Sequence, residues 1–331
     1  MDEITIYDIA KMAGVSASTV SRVINNYPYV KKDTRERVLK LLSENNYVPN
    51  ETARSLVNQS TKMVGILIAD MRTTHHTEGV YHVEKEFSKK GYSCLIYNTG
   101  VEPESQVQYI QMLSQRKIDA VVMIGSIYQN EMVRNAVETY IPSIPVAICN
   151  GFLEGKNIYG VVTDERNGVK ECVKFLFEKG RRHVAFVSNS LTPSNKEKLE
   201  GYLEGVSFFL EDVTPVTAIT DRNVEVVFEV TGNVLKEHPE VDAIIFAEDY
   251  LALAGMHYLS SIGKRVPEDI AIMGINNSRY GQISIPSLTT LDNMLFDTSL
   301  NAVRNILQVL GGEYVTKKMV LCPRIVERSS T

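Results

Sequence analysis

Over positions 4–47 apolar residues recur at helical spacing, punctuated by cap and turn signals. Ile6, Ile9, Ala10 and Ala13 share one face of a helix, and Thr5 with Asp8 makes a capping pair at its start. Ala13-Gly14-Val15 reads as a tight turn in which glycine supplies a positive φ. Ser16 then caps a second helix whose apolar face is Val20, Val23 and Ile24. Asp33 and Glu36 open a third, with Val38, Leu41 and Leu42 as its buried stripe, ending near Asn45-Asn46 ahead of Pro49. Helix, glycine turn, helix is the layout of a helix-turn-helix. Asn50 caps a further short helix over 51–57, which is marginal unless something packs on it.

From Met63 the pattern changes to apolar runs alternating with amphipathic stretches. The runs predict strands over 63–68, 93–97, 120–124, 146–149, 184–187, 243–246 and 270–273. Between them the spacing predicts helices over 80–90, 104–115, 168–179, 198–210, 226–237 and 251–259. Strands joined by crossover helices imply parallel, doubly wound α/β sheets. About ten such units are too many for one compact sheet, so two similar lobes with a cleft between them are expected. The stripe Leu300, Val303, Ile306, Leu307 and Leu310 reads as core.

Composition narrows the class without naming it. At 331 residues, 44% hydrophobic and 23% charged, the chain is ordinary and globular, with room for two or three units. No run of apolar residues is long enough for a transmembrane helix, and the acidic start Met1-Asp2-Glu3 is not a signal peptide. Cys94, Cys149, Cys172 and Cys322 are scattered, which fits a reduced, cytoplasmic setting and neither a zinc site nor a disulfide framework. The net charge is −5, but eight basic against seven acidic residues leave the first sixty near +1 and the remainder near −6. That asymmetry has the sign a nucleic-acid reader needs, and its small size puts the weight on pattern rather than charge.

The stretch from Ile6 to Asn25, reading IYDIAKMAGVSASTVSRVIN, resembles the headpiece of the lactose-repressor (LacI/GalR) family. The resemblance continues through YVPNETARSL, Tyr47 to Leu56, and covers the rest of the chain, including Gly65-Ile-Leu-Ile, Arg265-Val-Pro-Glu-Asp-Ile and Pro286-Ser-Leu-Thr-Thr. It implies an all-α helix-turn-helix headpiece over 1–48, a hinge helix over 49–60, and a two-lobed α/β core of parallel sheets, like periplasmic binding proteins, over 61–331. One lobe would take about 61–161 and 292–322, the other about 162–291 and 323–331. It also implies a transcriptional regulator, a repressor in particular, whose homodimer binds a pseudo-palindromic double-stranded operator under control of a small molecule.

On that resemblance the second helix enters the major groove, making Ala17, Ser18 and Arg22 the base readers. Arg22 can bond the guanine O6/N7 edge twice, and Ala17 can meet a thymine methyl. Ser16, Thr19, Ser21, Thr5, Tyr7 and Asn25 suit phosphate contacts. In the hinge, Asn50, Ala53 and Leu56 complete the DNA-binding set, with Ala53 on the minor-groove floor and Leu56 as a wedge between base steps. The family's effector positions fall on Asp70, His75, His76, Asn150, Lys198, Glu248, Asp249 and Asn276. Lys198 stands where the family usually has arginine, Glu248-Asp249 where it has Asn-Asp, and Asn276-Asn277 where it has Asp-Asp or Asp-Asn. Lysine lacks the planar fork of arginine, so carboxylates, amides and imidazoles carry the recognition, which suits a neutral polyol such as a sugar.

Other readings use the same residues less well. His75, His76, Glu78 and His82 lack metal-ligand spacing and read as cleft-mouth histidines, so no metal or cofactor is expected. Asp70, Glu248 and Asp249 could converge as a hydrolytic pair, but this fold uses such groups for hydrogen bonding and no enzyme is expected. A transport binding protein would need a signal peptide and no headpiece. A catabolite-control regulator docking a phosphorylated carrier protein, with Arg304 on the docking helix, is the alternative within the family. No heptad helix is added at the C-terminal end, so a dimer is expected rather than a tetramer.

Overall fold

The computed structural model describes residues 4–47, 60–210 and 213–331, and the chain divides into two units, Met1–Thr61 and Lys62–Thr331. In the first unit α1 (Ile6–Ala13), α2 (Ala17–Ile24) and α3 (Lys32–Glu44) close on a small core. Ile9, Val20 and Val38 are fully buried there, with Ala10, Ala13 and Val23 around them. The Thr5–Asp8 capping box is present, Ser16 accepts from the Thr19 N–H, and Gly14 ends α1 at φ 62°. The start of α3 differs from expectation. Its cap is Lys31, which makes no side-chain bond, and Asp33 sits inside the first turn where it faces the positive helix end. Leu41 and Leu42 are only partly buried.

The second unit carries two six-stranded sheets among the described residues. The first lobe holds β1 (Met63–Ile68), β2 (Ser93–Asn98), β3 (Ala120–Ile124), β4 (Val146–Cys149), β5 (Ile158–Thr163) and β11 (Lys318–Leu321), in the order β11-β5-β4-β3-β1-β2. The second holds β6 (Val184–Ser188), β7 (Val216–Ile219), β8 (Ala243–Phe246), β9 (Ala271–Ile275), β10 (Thr289–Asp292) and β12 (Arg324–Val326), in the order β12-β10-β9-β8-β6-β7. Pairing is parallel throughout, except that β12 runs antiparallel to β10. The chain passes between lobes after β5, after β10 and after β11.

Helices α4 (Thr74–Ser88), α5 (Pro103–Ser114), α6 (Glu131–Tyr140) and α12 (Leu295–Leu310) clothe the first sheet. Those on the second are α7 (Glu165–Glu178), α8 (Pro193–Phe209), α9 (Val224–Glu237) and α10 (Asp249–Ser261), with the short α11 (Arg279–Ile283) beside them. Several helices begin earlier than apolar periodicity predicts, because their first turns are polar and capped. In α8, Pro193 occupies the first turn and the Thr192 hydroxyl accepts from the Asn195 N–H. On α12 the stripe holds at Val303 and Ile306, which are buried, and runs out at Leu310, which is exposed.

Helices α7 and α8 meet closely because α8 presents glycine at the contact. A Cβ at Gly201 would run into the Arg166 carbonyl, which is backbone and cannot swing aside. Gly201→Ala should therefore lower the core's stability by about 1–3 kcal/mol, the usual cost of overpacking. Thermal unfolding of the full chain measures this, and an unchanged midpoint would show that the two helices can part freely.

Candidate functional site

Two surfaces gather the chemistry, one in each unit. On α2 the buried face is Val20 and Val23, so Ser18 and Arg22, four residues apart, point outward together. Ala17, Thr19 and Ser21 are half-exposed beside them, and Ser16, Asn25, Thr5 and Tyr7 are exposed. Hydroxyls cluster at the start of the helix, with Ser16 Oγ 2.8 Å from Ser18 Oγ and 2.9 Å from Thr19 Oγ1. Thr5 is committed locally, donating to Asp8 Oδ2 at 2.6 Å. Arg35 ties the loop after α2 by donating to Asn26 Oδ1 at 2.6 Å and to the Tyr27 carbonyl. That loop exposes Tyr27 and, 90% accessible, Tyr29, two aromatics absent from the sequence reading. Asn50, Ala53 and Leu56 lie outside the described residues.

The second surface is the cleft between the lobes. Its lining follows from topology: in parallel sheets ligand groups sit beyond the carboxyl ends of the strands. Asp70 follows β1, Asn150 follows β4, Glu248 follows β8 and Asn276 follows β9, while His75 and His76 open α4. These residues come from both lobes and line adjoining recesses of about 740 and 840 Å³. Asn150, His76 and Lys198 line the first, and Asp249 borders only the second.

Hydrogen bonding sorts these residues by availability. Lys198 is buried, donating to Asn195 Oδ1 at 3.3 Å and to the Ala247 carbonyl at 3.2 Å, with Nζ 3.5 Å from Glu165 Oε1. It is a structural tie in the wall. Asp249 is also buried, and its carboxylate accepts from Thr290 Oγ1 and the Ser278 N–H, both at 2.5 Å. Burial raises its pKa to about 6 despite those bonds. Asn150 takes a left-handed backbone at φ 57° and its Oδ1 accepts from the Thr163 N–H at 3.2 Å. Arg72 beside Asp70 holds that carboxyl down at about 2.

Further residues, missed by the sequence reading, bind the lobes to each other. Arg222 donates to both Glu248 oxygens, at 2.6 and 2.7 Å, and to Thr73 Oγ1 across the cleft. Arg279 of the second lobe reaches Glu78 of the first, with Nε 2.7 Å from Oε1. The Ser194 N–H donates to Ser126 Oγ at 3.1 Å. At the crossing strands Thr163 Oγ1 donates to the Asn293 carbonyl at 2.7 Å, and Asn293 Nδ2 to Asn276 Oδ1 at 2.9 Å. Glu165, deep in the wall, accepts from Ser194 Oγ. Arg222, Glu165 and Asn293 come shortly after β7, β5 and β10, strands that no apolar run announces, so the sequence reading had no signal for them.

Among the described residues no group of three or more His, Cys, Asp or Glu could hold a metal ion, and no helix is long and apolar enough to cross a membrane.

Residues 5–50 match the model of bacterial regulatory proteins, lacI family, and residues 173–331 that of the periplasmic binding protein-like domain. An HTH-type transcriptional regulator of Lachnoclostridium phytofermentans is 30% identical over 98% of this chain and 99% of its own length. The chain belongs to the LacI family of transcriptional regulators. The ribose operon repressor of Halalkalibacterium halodurans is also 30% identical to this LacI-family regulator, over 99% of the chain and 97% of that protein. Among solved structures, the lac repressor dimer bound to operator and the anti-inducer ONPF superimposes with a TM-score of 0.88 at 23% identity, over 99% of both chains. The resemblance read from Ile6–Asn25 and Tyr47–Leu56 and the two-sheet α/β core are thereby borne out. The family consists of transcriptional regulators rather than enzymes.

The two cleft histidines of this regulator make stability depend on pH. Burial, with the neighbouring His76, Lys198 and Arg222 charges, lowers His75 from its ordinary 6.5 to about 3, and burial also lowers His76. A base whose folded pKa lies below its unfolded value leaves the unfolded chain holding more protons, so stability falls as pH drops below about 6.5. Asp249, raised from 3.8 to about 6, works in the opposite sense over its own window, so a variant isolates the histidine. His75→Gln should flatten the acid-side fall of the unfolding midpoint between about pH 6.5 and pH 5. Identical slopes in the two chains would remove His75 from this account.

Proposed function

We propose that this regulator is a homodimeric repressor whose headpieces each read one half-site of a pseudo-palindromic operator, and whose cleft holds a sugar that sets operator affinity. The reading divides the chain into a headpiece over 1–48, a hinge over 49–60 and a core over 61–331. The observation that carries it is the outward face of α2, where Ser18 and Arg22 stand clear of the headpiece core within a cluster of hydroxyls. Ala17, Ser18 and Arg22 read bases, and Ser16, Thr19, Ser21, Asn25, Thr5 and Tyr7 meet the backbone. Asn50, Ala53 and Leu56 act in the hinge, which lies outside the described residues.

Asp70, His75, His76, Asn150, Glu248 and Asn276 form the effector set, with Lys198 and Asp249 holding the wall behind them. The cleft binds and does not catalyse. Two carboxylates that could have formed an acid–base pair are already committed, Glu248 to Arg222 and Asp249 to Thr290 and Ser278. The protein acts in the cytoplasm, where its DNA is.

Arg22→Ala should abolish preference for the operator selected from random duplexes while leaving salt-sensitive nonspecific binding in place. Footprints that match the parent chain would sink the assignment of α2. Asn150→Ala should bind that operator normally but need a roughly tenfold higher sugar concentration for half response, the loss of about one cleft hydrogen bond. Overlaying induction curves would exclude Asn150 from the effector set.

A further inference from the structure

Among the described residues the cleft has spare acceptors and no spare cation. Lys198 spends its donors on Asn195 and Ala247 beside Glu165, and Arg222 is gripped by both oxygens of Glu248. Asp70 is paired from the rim by the exposed Arg72. Two buried oxygens belonging to residues that line the smaller recess are left without a hydrogen bond: Glu165 Oε1, which has only the 3.5 Å ion-pair approach of Lys198, and Asn293 Oδ1. Both residues are 3% exposed. Around that recess stand the carboxylates of Asp70, Glu165, Asp221 and Glu248 against Lys198, Arg222 and, on Asp70 from the rim, Arg72, an excess of one negative charge. The balance is acidic, and a hydrogen-bond donor carrying positive charge is what it lacks.

An anion would meet the opposite conditions. It would have to take Arg222 from Glu248, whose side chain is 15% exposed, leaving that carboxylate buried and unpaired beside another negative charge. A cation met at Glu165 leaves the Arg222–Glu248 pair whole.

We infer that the cleft takes an amine-bearing polyol, an amino sugar whose protonated amine is met by Glu165 and whose hydroxyls reach Asn293. This rests on the reading of the cleft as the effector site and names the class of ligand it selects.

The test is calorimetric titration of the full chain with D-glucosamine, D-galactosamine and D-mannosamine, each against its neutral parent and its N-acetyl derivative. The pH is kept below the amine's pKa. At least one amino sugar should bind about tenfold or more tightly than both uncharged counterparts, the worth of one charge-assisted hydrogen bond. Neutral sugars binding with no amine preference would overturn this inference and leave the sugar-cleft reading standing. Silence from every sugar would overturn both.

Glu165→Gln should erase the preference, but it strands Lys198 in the wall. Glu165→Gln combined with Lys198→Met keeps the wall uncharged, and its folding is followed by circular dichroism. That chain should bind amine and parent alike, and a surviving preference would overturn the role of Glu165.

Discussion

Charge leaves water at a cost of several kcal/mol per ion unless a partner goes with it, and the cleft of this regulator is arranged around that cost. Glu165 enters the wall with Lys198, Glu248 with Arg222 and Asp70 with Arg72. Asp249 enters without an ion pair and takes two short hydrogen bonds instead, and burial raises its pKa despite them. Each pairing also has an architectural effect. Arg222 can hold Glu248 only by standing at the lip of the second lobe, from where it reaches Thr73 of the first. Neutralising the cleft and bridging the lobes are thus done by the same side chain.

The geometry of the parallel sheets makes that economy possible. With β1, β4, β8 and β9 all ending at the cleft, a polar residue one or two positions after each strand lines it from one side or the other. The chain passes between lobes three times, and two of the crossings, after β5 and after β10, are tied together by the Thr163–Asn293 hydrogen bond. Asn293 then reaches Asn276 in the ligand wall. A change of contacts at Asn276 is therefore felt at the crossing segments through a single intervening side chain.

How much of this could be read from sequence depended on which strands announce themselves. Runs such as Val64–Ile68 and Ala243–Phe246 are buried on both faces and read as unbroken apolar stretches, so Asp70 and Glu248 behind them were found. Three less conspicuous strands went unread. Strand β7 is an edge with Thr217 and Ile219 exposed, β10 is rich in threonine, and β5 contains Gly160. Arg222, Asn293 and Glu165 follow those three strands, and all were missed with them. The headpiece was more legible because caps and glycine turns are local chemistry, visible without knowing the partner element. Even there Lys31 displaced Asp33 at the start of α3, since neither residue's side chain makes the capping bond that would have decided it.

The ties across the cleft also bound how the ligand can work. To move operator affinity a thousandfold, an effector must favour one arrangement of the core over the other by about 4 kcal/mol. A ligand that merely added equal contacts to both arrangements would shift nothing, however tightly it bound. Differential energy has to come from interactions that exist in only one arrangement, and a change in the angle between lobes acts first on the bonds that span them: Arg222 with Thr73, Arg279 with Glu78, Ser194 with Ser126. The Glu78–Arg279 pair lies toward the rim, where the arginine is 70% exposed, and solvent screening leaves it with a fraction of a kcal/mol. Arg222 is different, because its partner Glu248 is largely buried and cannot be abandoned without replacement. On the proposed reading the amine is met at Glu165, so Glu248 keeps its arginine and the tie to Thr73 is not spent on binding. Selectivity for the ligand then rests on Glu165, and response to it on the bonds that span the lobes, which are separate side chains and can be altered one at a time.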